Sequence, residues 1–157
     1  MGRNRGECWT PEVEGAVAQL QEEPGVLVID DEHLVRIMVR SGLERNGFRV
    51  WLAGSGLEAI ELYKKLHPQI SILLLDVRMA DMSGPQVLDA LRQINPAVPA
   101  CFMTGDMGSY SSEELMRNGA ARVIDKPFLL SDLARILKQV VNGHGEVQPH
   151  YSDGHLG

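Results

Sequence analysis

A chain of 157 residues with 44% hydrophobic and 23% charged residues has the composition of an ordinary globular protein and the length for one domain with a proper core. Its net charge of -6 at pH 7, with no clustered stripe of Lys and Arg, argues against a nucleic-acid surface, and no apolar stretch suits a signal peptide or a membrane span. Cys8 and Cys101 are too few for a disulfide scaffold and read as reduced thiols of a cytoplasmic protein.

Residues 1–25 form an N-terminal extension. Thr10-Pro11-Glu12 has the form of an N-cap followed by Pro in the first helical turn, and Val13, Ala16, Val17 and Leu20 recur at helical spacing, so a short helix is expected there, as a cap on the domain or a frayed arm. From 26 to 142, short apolar runs alternate with longer amphipathic ones, which is the pattern of repeated βα units and a parallel sheet. Five strands are predicted, over 26–30, 49–53, 70–76, 98–103 and 122–125. Five helices are predicted, over 33–46, 56–67, 85–95, 111–118 and 131–142, with Gly47, Pro68, Pro96, Gly119 and Gly143 as stop signals. The third strand is apolar throughout, as befits a strand covered on both faces, which puts it at the centre of the sheet. Along the first helix, Leu34, Ile37, Met38 and Leu43 are expected to face the core, with Arg36, Arg40 and Arg45 toward solvent. Residues 143–157 are polar and expected to be a flexible tail; His144, His150 and His155 fit the spacing of no closed metal site.

Three of the strand ends are polar in a telling way. Asp30-Asp31 follow Val26-Leu27-Val28-Ile29, Asp76 closes Ile72-Leu73-Leu74-Leu75, and Lys126-Pro127 follow Val123-Ile124-Asp125. In an open α/β sheet, ligands bind beyond the carboxyl ends of the strands, so these groups are expected to share one crevice. Clustered carboxylates repel one another unless a cation joins them, and a hard oxygen set suits Mg²⁺, which commonly bridges to phosphate oxygens. Asp76 is the candidate nucleophile, because a carboxylate at an accessible strand end can attack phosphorus. Thr104-Gly105, after the fourth strand, place a hydroxyl and an unhindered amide beside the crevice as donors to a phosphoryl oxygen. Lys126 supplies a compact cation, expected to pair with Asp76 at rest. For Asp31 and Glu32 the competing reading is a plain helix cap.

In this order and spacing, the constellation from about Val26 to Val141 resembles the receiver domain of two-component response regulators. Asp76-Val77-Arg78-Met79, Met82-Ser83-Gly84, Asn118-Gly119-Ala120 and Lys126-Pro127-Phe128 resemble phrases of that family. The resemblance implies a flavodoxin-like, doubly wound, five-stranded parallel sheet with helices on both faces. It also implies that Asp76 accepts a phosphoryl group from a sensor histidine kinase or a histidine phosphotransfer protein. Mg²⁺ would be held by Asp31, Asp76 and the Arg78 backbone carbonyl, with Asp30 acting mainly through metal-bound water, and Thr104 and Lys126 would meet the phosphoryl oxygens. The Lys126–Pro127 bond is often cis in the family. Arg78 and Asp106 flank the expected phosphoryl position. The chain departs from the family pattern at Val123, where an aromatic residue is common, and at Ala80, where a proline is common and whose loss is expected to loosen the loop after Asp76.

Few residues follow Val141, so the chain reads as a stand-alone receiver that signals by contact with an unidentified protein or by phosphorelay, as a monomer or weak dimer, and not as an enzyme acting on an outside substrate. Two alternatives remain open: a receiver-like scaffold that is never phosphorylated, and an aspartyl-phosphate phosphohydrolase. The latter usually places two acids two residues apart after the first strand, which Asp30-Asp31 do not.

Overall fold

A computed structural model of the chain describes residues 23–105 and 108–143; the expected N-terminal helix, the polar tail, Cys8 and Asp106 lie outside the described residues. Five parallel strands, β1 (Gly25–Ile29), β2 (Arg49–Ala53), β3 (Ile72–Asp76), β4 (Ala100–Thr104) and β5 (Arg122–Asp125), are ordered β2-β1-β3-β4-β5. Between and after them run α1 (His33–Arg45), α2 (Gly56–Leu66), α3 (Gly84–Ile94), α4 (Ser112–Arg117) and α5 (Leu130–Val141). This is the doubly wound, flavodoxin-like arrangement that the strand and helix pattern predicts. Among the described residues no helix is long and apolar enough to cross a membrane.

The alternation of side chains along β1, β3 and β4 divides the core in two. Leu27, Ile29, Leu73, Leu75, Ala100 and Phe102 point to one side of the sheet, where Ala59 and Tyr63 of α2, Val87, Leu88 and Leu91 of α3 and Leu115 of α4 cover them. Val26, Val28, Ile72, Leu74, Cys101 and Met103 point to the other, against Val39 and Leu43 of α1 and Leu133, Ala134, Leu137 and Val140 of α5. Every residue of β1, β3 and β4 is buried, which is why these strands are continuously apolar rather than alternating. Burial also pushes the Cys101 thiol up to about 12, so it is a packing group and not a nucleophile.

Two expectations change. The third strand begins at Ile72, because His67–Gln69 form a 3-10 turn whose His67 carbonyl accepts from Ile70 N; the fourth runs Ala100–Thr104, carrying Thr104 inside the sheet. On α1, Leu34, Ile37 and Met38 are not core residues: they are 74%, 44% and 60% exposed, while Val39, Gly42 and Leu43 face the sheet. Gly42 allows that rotation, since a Cβ there would stand 2.8 Å from the Leu130 side chain of α5. An apolar stripe three and four residues apart on α1 therefore faces outward.

Gly84 sets the distance between α3 and the end of β3. A Cβ at this position would run into the Asp76 carbonyl oxygen and stand 2.9 Å from Phe102 Cε1, and the adjoining backbone is held by Gly84 N donating to Val77 O at 2.8 Å. Gly84→Ala is expected to destabilise the domain by about 1–3 kcal/mol, through overpacking against rigid backbone, in urea denaturation monitored by circular dichroism.

Candidate functional site

Each strand of the central three hands a polar residue to the carboxyl edge of the sheet. Asp30, immediately after β1, is fully buried. Its Oδ1 accepts from Glu32 N at 2.9 Å, its Oδ2 accepts from Lys126 Nζ at 2.9 Å, and its backbone carbonyl accepts from Arg36 Nη1 at 2.6 Å. Asp76, the last residue of β3, is buried with Oδ1 3.5 Å from Lys126 Nζ. Asp31 is exposed, with Oδ2 accepting from Ala80 N at 3.2 Å. Glu32 is the N-cap of α1 without a side-chain cap bond, so neither Asp31 nor Glu32 serves as the plain helix cap that their position allows. One oxygen from each of Asp30, Asp31 and Asp76 lies within 4.8 Å of the others.

Lys126 reaches this group from the other half of the sheet. Its backbone N donates to Thr104 O at 2.8 Å, which extends the β4–β5 pairing one residue past Asp125, and the Lys126–Pro127 bond is cis, as the resemblance implies. The expected pair with Asp76 is present at 3.5 Å, and a shorter hydrogen bond, at 2.9 Å, joins the same ammonium to Asp30. Burial works to lower the Lys126 pKa, but the Asp30 hydrogen bond and the charges of Asp30 and Asp76 outweigh it and hold the ammonium above the ordinary lysine range.

Asp76 is pulled the opposite way. Burial raises its pKa most, the Asp30 charge adds to that, Lys126 counteracts, and the outcome is about 6. Lys126 pairs with Asp30 and Asp76, two of the three clustered carboxylates, so the acids outnumber the ammonium among them. Thr104, at the end of β4, has a buried Oγ1 with no hydrogen-bond partner among the described residues. A buried hydroxyl without a partner is uncommon and costs free energy, so at the carboxyl end of a strand next to β3 it suits an acceptor that arrives there.

These residues fit both expected guests. Three carboxylates on rigid strand ends, one of them exposed to water, match a hard cation that keeps part of its hydration shell. A lysine and an orphan hydroxyl match phosphoryl oxygens. The structure thus brings together Asp30, Asp31, Asp76 and Lys126, with Thr104 at the end of the neighbouring strand β4. Arg78 stands two residues beyond Asp76, in a loop that lines a groove with Met79, Ser83, Gly108 and Tyr110.

Sequence reasoning missed three tethers of that loop. Besides the Ala80 bond, Asp81 accepts from Gly56 N and Leu57 N at 3.1 and 3.2 Å, and Ser83 Oγ lies 3.2 Å from Tyr110 Oη. The loop expected to be loose without a proline is held by hydrogen bonds, one of which a proline is unable to make. Ser83 shows a signal that was available: with Gln86 three residues on, it forms a capping box at the start of α3.

The raised Asp76 pKa has a definite sign for stability. Below about pH 4 the group is protonated in both folded and unfolded chains; between about 4 and 6 only the unfolded chain ionises, so stability falls as pH rises and then levels off above 6. Asp76→Asn is therefore expected to stabilise the metal-free protein by roughly 2–3 kcal/mol at neutral pH, where each shifted pKa unit is worth about 1.4 kcal/mol. The gain should shrink toward zero near pH 4, in urea denaturation with EDTA present.

A family model described as the response regulator receiver domain matches residues 26–138. Among curated proteins, the sensor kinase CckA of Brucella abortus (strain 2308) is 32% identical over 116 residues, 74% of this chain and 12% of its own length. The regulatory protein AtoC of Escherichia coli (strain K12) is 31% identical over 116 residues, again 74% of this chain and 25% of its own length. The chain thus spans a quarter or less of these two relatives. The solved structure of a response regulator receiver domain protein from Clostridium thermocellum superposes with a TM-score of 0.71 at 26% identity, covering 77% of this chain and 96% of that one. Receiver domains are phosphoacceptor signalling modules that bind Mg²⁺ in an acidic pocket and engage histidine kinases, and the described residues hold such a pocket. With the family model matched from Val26 through Lys138, on the sheet order and strand-end acids set out above, this chain belongs to the response regulator receiver domains of two-component signalling.

Proposed function

We propose that Asp76 accepts a phosphoryl group from the phosphohistidine of a protein donor in a Mg²⁺-dependent reaction, and that the phosphorylated domain signals in the cytoplasm through protein contact or onward phosphotransfer. The observation that carries this reading is the strand-end cluster: a buried carboxylate 3.5 Å from a lysine, two further acids within reach of it, and a buried hydroxyl without a partner among the described residues at the end of the next strand. An Asp76 oxygen forms the new bond to phosphorus, the P–N bond of the donor breaks, and the leaving imidazole takes up a proton. Asp31, Asp76 and the Arg78 carbonyl would hold Mg²⁺, with Asp30 reaching it through water. When bound, the cation supplies the charge neutralisation that phosphoryl oxygens need, and positioning of that kind is most of what phosphoryl transfer demands of a protein.

The chain's own residues do the rest. Asp30 is anchored by Glu32 N and Lys126, so it holds the ammonium near the crevice until an incoming phosphoryl oxygen competes for it. Thr104 Oγ1 is already buried at the strand end and donates to another phosphoryl oxygen without having to break a prior bond. A receiver-like scaffold that never carries phosphate would keep the unfavourable charge on Asp76 and the unsatisfied hydroxyl with nothing to offset them.

The donor is read as a macromolecule. Leu34, Leu57 and Leu129 are 74%, 66% and 68% exposed, and each lies in the first residues after a strand's carboxyl end, on the side of the sheet that holds the crevice. With Ile37 and Met38 on α1 they provide an apolar rim suited to a helical kinase or phosphotransfer surface. No turnover of an outside small substrate is proposed, and association of the domain with itself is expected to be weak.

Beryllium trifluoride, an acyl-phosphate mimic, tests the reading directly. With Mg²⁺ present, protein-bound fluorine resonances are expected in ¹⁹F NMR. They should vanish in Asp76→Asn and weaken by roughly tenfold or more in apparent affinity in Lys126→Ala, which loses a charge-assisted contact. Bound resonances that persist in Asp76→Asn would rule Asp76 out as the acceptor.

A further inference from the structure

The loop between β3 and α3 is held from two sides by carboxylates, and one of them belongs to the metal pocket. Asp31 Oδ2 accepts from the backbone N–H of Ala80, 49 residues away in sequence, at 3.2 Å. On the far side of the loop, Asp81 accepts from Gly56 N and Leu57 N at the start of α2. Ala80 thus sits between an anchor and the carboxylate it touches. Ala80 is itself exposed, and the bond it makes across the crevice is through its amide proton. Proline at this position has no such proton.

We infer that the Ala80 backbone N–H is a positioning group for the cation: it fixes Asp31, the exposed one of the three carboxylates, in an orientation that lets it join the pocket, and Asp81 holds the loop so that this N–H points the right way. Asp30 needs no such help, being buried and bonded through both oxygens, and Asp76 is held by the strand. Among the described residues, the hydrogen bond seen on the Asp31 side chain is this one from the Ala80 amide. Groups that orient a ligand from behind tune metal affinity even though they never touch the ion. Asp31 held in place before the cation arrives loses less side-chain freedom on binding. This inference rests on the reading of the pocket as a Mg²⁺ site, and it deepens that reading by naming what sets the affinity.

The test is a Mg²⁺ titration of the full chain followed by isothermal calorimetry and by amide NMR, comparing Ala80→Pro with Ala80→Ser, which keeps the N–H and remains compatible with an exposed site. Ala80→Pro is expected to weaken Mg²⁺ binding about three- to tenfold, the low end for loss of an outer-shell partner because the contact is exposed, while Ala80→Ser stays within about twofold of the parent. A second measurement needs no proline: in the metal-free parent chain, Asp31→Ala should move the Ala80 amide proton upfield, out of the hydrogen-bonded range. Equal Mg²⁺ affinity in parent and Ala80→Pro, or an Ala80 amide indifferent to Asp31→Ala, would overturn the inference. Absence of Mg²⁺ binding in the parent chain would instead overturn the metal-site reading beneath it, so the two results are distinct.

Discussion

A shortage of positive charge at the carboxyl edge of the sheet is the constraint on which the rest of this domain turns. Asp30 and Asp76 are buried side by side and share the Lys126 ammonium, and Asp31 joins them at the rim. At low dielectric an uncompensated carboxylate is costly, and the molecule shows two responses: Lys126 is committed to Asp30, and Asp76 is left with its pKa near 6. On the proposed reading a divalent cation would relieve the same imbalance and leave Lys126 to a phosphoryl oxygen, the electrostatic basis that a phosphoacceptor at Asp76 would need.

Such a cluster is tolerable because the fold beneath it is rigid and dry. Two apolar layers, one on each face of β1, β3 and β4, hold the three strand ends in register. Gly84 lets α3 start against the Asp76 carbonyl, and the Lys126 amide continues the β4–β5 pairing. The price of strain at the crevice is met by packing below it.

Much of the fold was legible because buried parallel strands write themselves as unbroken apolar runs. Val26-Leu27-Val28-Ile29 and Ile72-Leu73-Leu74-Leu75 admit little else once helical runs separate them, and the glycines and prolines mark most of the ends. The rotation of α1 was not legible. Leu34, Ile37 and Met38 form as good a helical stripe as Val35, Val39 and Leu43, and the choice between them rests on tertiary packing, including a close approach to Leu130 that leaves no room for a Cβ at Gly42. Likewise, the acids, the threonine and the lysine could be assigned to one crevice from strand-end logic. The choice of Asp30 over Asp76 as the lysine's near partner depends on ångström differences, and the Ala80–Asp31 bond joins residues with no sequence periodicity between them.

The most direct measurement of the central claim is intact-protein mass spectrometry after incubation with acetyl phosphate and Mg²⁺, alongside Asp76→Asn and an EDTA control. The account requires a single phosphoryl adduct on the parent chain that is absent without metal and absent in Asp76→Asn. A folded, Mg²⁺-binding chain that acquires no adduct, or one that acquires it equally in Asp76→Asn, would contradict it.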